Sequence, residues 1–470
     1  RNLLFETLSS DAGLLDAVGA IKAEVPDAFV LVSFAVLPDG YTREGMYCKD
    51  LARRMQESGI VDAVGLNCVS APGAMRTLAK QLGGTLPLSV MPNAGYPVVT
   101  RTQVKYQGRP EYFARELGRL AAEGTVRILG GCCGTTPAHI AALRAELDSL
   151  PVVEKTAPAE EFSTVKKQTV ENVEAVAFLR KLNAVEKVIA IELDSPRNAD
   201  LTGYLEGAKK LQAAGADLLT IADCPIAQAR MDSSLVACRV HRELGLCTLP
   251  HMTCRDRNLN ATKALLLGLY AEGVREVLAI TGDPIPTAER DEVKNVYQFN
   301  SRKLAQYIVS LAGEGREMPG PMTVFGALNL NARNFDVELR RAKEKLENGM
   351  SGFLTQPVLS AQAVENLKKS RETLGADAKI LAGIMPVVSQ RNAIFMENEI
   401  NGIHVEDWII EKFAGLDRAQ GEELGLAISL EMAKAALPYA DGLYLMTPFN
   451  RVALMERLIG RLKQEVLGAY

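Results

Sequence analysis

Eight short runs of aliphatic and β-branched residues after residue 180 constrain the fold more than any other feature of the chain. They are VIAIEL (188–193), LLTIA (218–222), CTLPHM (247–252), EVLAIT (276–281), TVFGALN (323–329), GFLTQ (352–356), KILAGIMP (379–386) and GLYLMT (442–447). Amphipathic stretches such as YLEGAKKLQAAGA and VELRRAKEKLENG lie between them. Strands alternating with helices of this kind feed a parallel sheet, and eight such units close a barrel. The expected fold class is α/β, with a C-terminal (βα)8 TIM barrel over residues 173–470 and a doubly wound sheet as the alternative.

The same rhythm in residues 1–150 gives LLFET, VLVSFAV, AVGLNC, LSVMPN and VRILGGC, separated by stretches such as CKDLARRMQESG and EYFARELGRLAAEG. Five strands are too few to close a barrel. Because the first run begins at residue 3, we expect a partial (βα)8 barrel lacking about three units, on the order of 100 residues. An open five-stranded layer is the alternative. The segment between the two blocks carries charge, Pro and Thr without strong periodicity, and it reads as a linker over 151–172.

A length of 470 residues suits two domains, and 47% hydrophobic against 23% charged residues is enough apolar material for full cores. The net charge of 53 − 57 = −4 gives no nucleic-acid surface. No apolar run is long enough to cross a bilayer, and the start RNLLFETLSSDAG lacks a signal-peptide layout, so a cytoplasmic location is expected. Cys48, Cys68, Cys224, Cys238, Cys247 and Cys254 are scattered without a framework spacing, which favours reduced thiols.

The other two cysteines, Cys132 and Cys133, are neighbours in GGCCGT (130–135). Cys68 ends the run AVGLNC and this pair follows VRILGG, so in a barrel all three thiols reach the carboxyl-terminal rim. Three thiolates there could hold one Zn2+ with a tetrahedral position left for a substrate thiol, and inert buried cysteines are the alternative. Glu6 and Thr7, at the end of LLFET, are further candidates for that rim.

Through GLNC (65–68), PNAG (92–95) and GGCCGTTPAHI (130–140), about the first 145 residues resemble the zinc-dependent homocysteine S-methyltransferase family. The resemblance implies Cys68, Cys132 and Cys133 as zinc ligands, with the homocysteine sulfur as the fourth. The family's DGAMGT-like and ETNTF-like segments have no counterpart, so an incomplete module is expected.

In the second block the strands end in Glu192, Asp223, His251, Asp283, Asn329 and Gln356, which a parallel barrel would gather at one mouth. No P-loop or GxGxxG occurs, so a phosphate would rely on loop amides and basic side chains. Arg341 and Lys345, at i and i+4 on one helical face, are the candidates. Taken singly, Glu192 also suits a salt-bridged rim carboxylate, His251 a core histidine and Gln356 a strand-end cap.

Residues 185–465 resemble the methylenetetrahydrofolate reductase family through IELDSP, PHMTC, ITGDP, GFLTQP, GIMPV and TPFNR, in the family's order. The resemblance implies an FAD flavoprotein that takes hydride from NADH or NADPH and reduces methylenetetrahydrofolate to 5-methyltetrahydrofolate. It implies Glu192 as general acid, His251 as a flavin contact, Asp283 beside both flavin and substrate, Gln356 reading the pterin, and Arg451 touching folate or donor. The family's arginine before GD and its Thr-Tyr pair are replaced by Thr281 and Ala222-Asp223, so weaker flavin retention is expected. Two other classes share these strand-end groups: a non-redox pterin-binding methyltransferase and a noncatalytic barrel scaffold. Bound flavin separates them. Neither the electron donor nor a homo-oligomeric state follows from the sequence.

Overall fold

The computed structural model describes residues 1–470 apart from 39, 83, 96, 100–103, 107, 125, 151–176, 185, 284–294, 314–315, 401 and 470, and the expected linker over 151–172 lies outside the described residues. The chain forms two compact units, Arg1–Gln168 and Thr169–Tyr470. No helix among the described residues is long and apolar enough to cross a membrane.

The first unit contains β1 (Asn2–Leu8), β2 (Phe29–Phe34), β3 (Ala63–Asn67), β4 (Leu88–Met91), β5 (Pro97–Val99), β6 (Val104–Tyr106) and β7 (Ile128–Leu129). Five of these form a parallel sheet in the order β1-β2-β3-β4-β7. They are the five runs legible in the sequence. Val30, Val32, Phe34, Val64 and Leu66 from the strands pack with Leu51, Met55, Phe113 and Leu117 from the helices, so each helix buries one apolar stripe on the sheet. The antiparallel pair β5-β6 was not expected, because three residues a side are too few to show a period of two.

In the second unit β8 (Val188–Glu192), β9 (Leu218–Ile221), β10 (Cys247–Thr253), β11 (Glu276–Ile280), β12 (Thr323–Leu328), β13 (Gly352–Pro357), β14 (Lys379–Ile384) and β15 (Gly442–Met446) close a parallel barrel. β15 pairs with β8 in a register that sets Tyr444 against Ala190 and Met446 against Glu192. That closure excludes the doubly wound alternative.

The barrel interior is filled by Val188, Ala190, Leu218, Leu249, Leu278, Phe325, Leu354, Leu381, Tyr444 and Met446. Phe178 and Leu182 of the helix Ala177–Asn183 join this cluster, the Phe178 ring standing edge-on to Phe325 at 6.3 Å. Side chains alternate along a strand, so these inward residues fix which others share their face. Two positions beyond Ala190, Leu249 and Leu354 come Glu192, His251 and Gln356, at the carboxyl-terminal end where barrel ligands bind. Two positions before Leu278 comes Glu276, at the opposite end.

Candidate active site at the barrel mouth

Glu192 ends β8, and its Oε2 accepts a hydrogen bond from the phenol of Tyr444 on β15. His251 Nε2 lies 3.7 Å from the same oxygen. About a fifth of the Glu192 side chain stays accessible at the mouth (21%), yet the surrounding protein displaces most of its water. Burial raises the carboxyl to about 7, assisted by nearby Asp194 and opposed by Tyr444 and Arg230. Asp194 is itself raised by burial and is paired with Arg230 at 3.1 Å. Arg230 also donates to the Ser195 carbonyl, which ties down the loop after β8.

Burial pushes His251 down to about 4, so the imidazole is neutral at pH 7. Its Nε2 is buried and has no hydrogen-bond partner among the described residues. An orphaned buried ring nitrogen costs free energy unless a ligand atom meets it.

Asp223, just after β9, is committed differently. It accepts from Thr253 N at 3.1 Å, Thr253 Oγ1 at 3.0 Å and Arg257 at 2.7 Å. Burial would raise its carboxyl, but Arg257 and Thr253 hold it below the usual range. Arg257 also pairs with Asp232, the residue capping the helix Ser233–Leu244. Asp223 therefore joins β9 to β10.

Asp283 follows β11 through Gly282, whose φ of +92° suits glycine and whose Cβ would lie 2.9 Å from Thr253 Cβ. The Asp283 carbonyl accepts from Arg255, and its side chain is at the exposed rim. Arg255 is almost fully buried and links three successive loops, donating to the carbonyls of Cys224 and Asp283 and to the Asp256 carboxylate. Gln356 is half-buried, and Asn329 folds its Oδ1 back to the Asn331 amide.

Arg341 and Lys345 flank one carboxylate, each lying 3.9 Å from Glu338. Lys345 is largely buried, which lowers its pKa, and it donates to the Ala327 carbonyl near the end of β12. Arg341 stays mostly exposed. The expected pair thus shares a face but not an environment. Arg451 is engaged as well, reaching Glu422 at 3.1 Å, with its guanidinium 5.8 Å from the Phe449 ring. Phe449 and Asn450 both adopt left-handed φ, and Asn450 Nδ2 donates to the Asp194 carbonyl, joining the loops after β15 and β8. Tyr444, Asp194, Arg255 and Arg257 are site residues the sequence reading did not single out.

In the first unit the ligand atoms of Cys68, Cys132 and Cys133 lie within 4.8 Å of one another, with Cys68 Sγ 3.7 Å from Cys133 Sγ. Cys68 and Val69 take left-handed φ after β3, which turns the thiol toward the glycine loop. In that loop a Cβ on Gly131 would meet Thr135 Oγ1 at 2.4 Å. Burial and then the neighbouring Cys68 push the Cys132 thiol up to about 12, so a cation would be needed to hold that sulfur ionised at neutral pH. Asn67 Nδ2 reaches Cys132 Sγ at 3.9 Å and also donates to Thr7 Oγ1 and Glu6, which brings both expected rim residues beside the cluster.

Residues 178–463 match the family model of Methylenetetrahydrofolate reductase, which is more than half of the chain. The chain belongs to the methylenetetrahydrofolate reductase family. Residues 1–147 match the model of Homocysteine S-methyltransferase, so one polypeptide carries segments of both families. A 5,10-methylenetetrahydrofolate reductase of Escherichia coli is 23% identical over 192 residues, covering 40% of this chain and 61% of that one. A Methionine synthase of Mycobacterium tuberculosis is 44% identical over 82 residues, covering 17% of this chain and 7% of that one. The chain thus spans less than two thirds of either relative. A solved structure described as an uncharacterized Clostridium thermocellum protein that binds two copies of 5-methyl-5,6,7,8-tetrahydrofolic acid has a TM-score of 0.45 and 14% identity, covering 61% of this chain and 99% of that one.

Proposed function

We propose that the barrel unit reduces 5,10-methylenetetrahydrofolate to 5-methyltetrahydrofolate with a bound flavin, FAD, and that Glu192 is its general acid. The observation that carries this reading is an inward carboxyl at the mouth of a closed barrel, held by Tyr444 and raised by burial to about 7. A group with that proton affinity is half protonated near neutral pH and can both donate and recover a proton. The unpartnered, buried Nε2 of the neutral His251 fits a flavin ring atom beside Glu192. When bound, the flavin would supply hydride taken from NADH or NADPH.

The chain's own residues do the rest. Glu192 protonates the departing nitrogen of the one-carbon bridge, which opens the ring to the iminium that accepts hydride. Gln356 offers both donors and acceptors to the pterin edge. Asp283, at the rim beyond Gly282, places negative charge near the ring system and serves substrate and cofactor alike. Arg341, exposed beside Glu338, is the cation available to the flavin phosphates, joined by Lys345 if it leaves the Ala327 carbonyl, and Arg451 is available to folate or donor if it leaves Glu422. The family match over this unit supports these roles.

For the first unit we assign Cys68, Cys132 and Cys133 as the holders of one Zn2+, since the donor set and its clustering fit that ion. Such a zinc would bind the homocysteine thiol in its open position and favour its ionised form. Metal analysis of the purified chain should find zinc that Cys133→Ser largely removes; no difference between the two would reject the assignment. For the barrel, Glu192→Gln should leave bleaching of the flavin by reduced nicotinamide intact and abolish reoxidation by methylenetetrahydrofolate. Unchanged folate turnover would refute the acid.

A further inference from the structure

We propose that Tyr444 is the positioning residue for this acid, its O–H fixed on Glu192 Oε2 so that Oε1 is the oxygen carrying the transferable proton. The inference rests on Glu192 being the acid. Tyr444 lies two pairs down the β15-β8 ladder from Glu192, opposite Ala190 and so on the same inward face, and its ring belongs to the apolar interior, 6% exposed. A ring clamped there has little freedom, and its hydroxyl reaches up the inward face to the carboxyl. His251 Nε2 approaches the same Oε2 at 3.7 Å. Both contacts fall on Oε2, and a carboxylic acid that accepts a hydrogen bond on one oxygen keeps its proton on the other.

The other charged and titratable groups around Glu192 form no hydrogen bond to either of its oxygens among the described residues. Asp194 and Arg230 come from the loops after β8 and before the helix Ser233–Leu244, and they pair with each other. Tyr204, from the helix Thr202–Ala214, is buried and donates to the Leu193 carbonyl. Asp223 acts on His251 and is neutralised by Arg257. Tyr444 makes the direct contact. In the proposed step the Oε1 proton passes to the bridge nitrogen, the electron pair of the breaking C–N bond stays on that nitrogen, and the lone pair of the second nitrogen forms the C=N bond. Glu192 is left a carboxylate whose charge Tyr444 stabilises at Oε2.

The direction of one shift decides the geometry. With Tyr444 as donor, Tyr444→Phe removes a bond that favours the ionised carboxyl, and the Glu192 midpoint rises by about one to two pH units. Were Glu192 instead the donor to the phenol oxygen, the same change would lower the midpoint. The measurement is a carboxyl titration by 13C NMR on the full chain, with Glu192→Gln identifying the resonance, and it needs no turnover. A midpoint that is unchanged or falls overturns the proposal. If the phenylalanine variant does not fold, the wild-type Tyr444 13Cζ resonance should move with the Glu192 midpoint, and a flat resonance overturns it equally. A Glu192→Gln chain that still turns over folate would sink the acid itself; an inactive Glu192→Gln with an unshifted Tyr444→Phe would remove only the role of Tyr444.

Discussion

Glu192 and Glu276 lie on the same inward face of one barrel, at opposite ends, and burial lifts both carboxyls to about 7. Around Glu192 are a phenol donor, a neutral imidazole with an unpaired nitrogen and an accessible fifth of its own surface. Around Glu276, which starts β11, are the Cys247 thiol and apolar interior, with 3% exposure and one oxygen lacking a partner among the described residues. The same desolvation produces the same proton affinity in both places. A raised carboxyl therefore does not mark an acid by itself; the end of the strand on which it sits, and the groups converging on it, do.

The largest expected difference is in turnover. Glu192→Gln should slow the folate half-reaction by about 10²–10⁴-fold in anaerobic stopped flow, and Glu276→Gln should leave it within about twofold. Comparable losses in both variants would erase the distinction. The next difference concerns stability. Each carboxyl keeps its proton in the folded state up to about 7 but loses it near 4.5 when unfolded, so each contributes stability that is fully present below pH 4.5 and lost as pH rises to 7. His251 runs the other way, since its folded value of about 4 lies below the usual 6.5 and its contribution is lost as pH falls through that window. Glu276→Gln should flatten the decline between pH 5 and 7 by about 1 kcal/mol per pH unit in urea unfolding. Superimposable pH profiles would show that Glu276 is solvated in the folded chain. The smallest effect is expected at Arg255, where Arg255→Lys keeps the charge but cannot bridge three loops. It should cost about 1–2 kcal/mol of stability and leave the Glu192 midpoint in place. A moved midpoint would extend the acid's environment to the Asp283 loop.

Much of this barrel was legible because strands alternating with helices announce parallel units, and the parity of a strand is readable once one inward residue is placed. VIAIE and CTLPHMT put Glu192 and His251 on faces that the closed barrel turns inward. Tyr444 escaped notice because its partner depends on the register across the closure of β15 on β8, which no local pattern encodes. Arg255 and Arg257 in TCRDR are internal only because three loops fold over them, which no local pattern encodes. The resemblance singled out Arg451 for folate or donor contact, but its pairing with Glu422, 29 residues away in sequence, follows from no local pattern. The cysteine cluster was easier, since glycines flank two neighbouring thiols and Cys68 ends a recognisable strand.

The most direct measurement is an anaerobic absorption spectrum of the purified chain loaded with FAD. Bleaching of the flavin band by NADH or NADPH and its return on adding methylenetetrahydrofolate is the expected result. A chain that takes up no flavin, or a reduced flavin that the folate cannot reoxidise, would contradict the account.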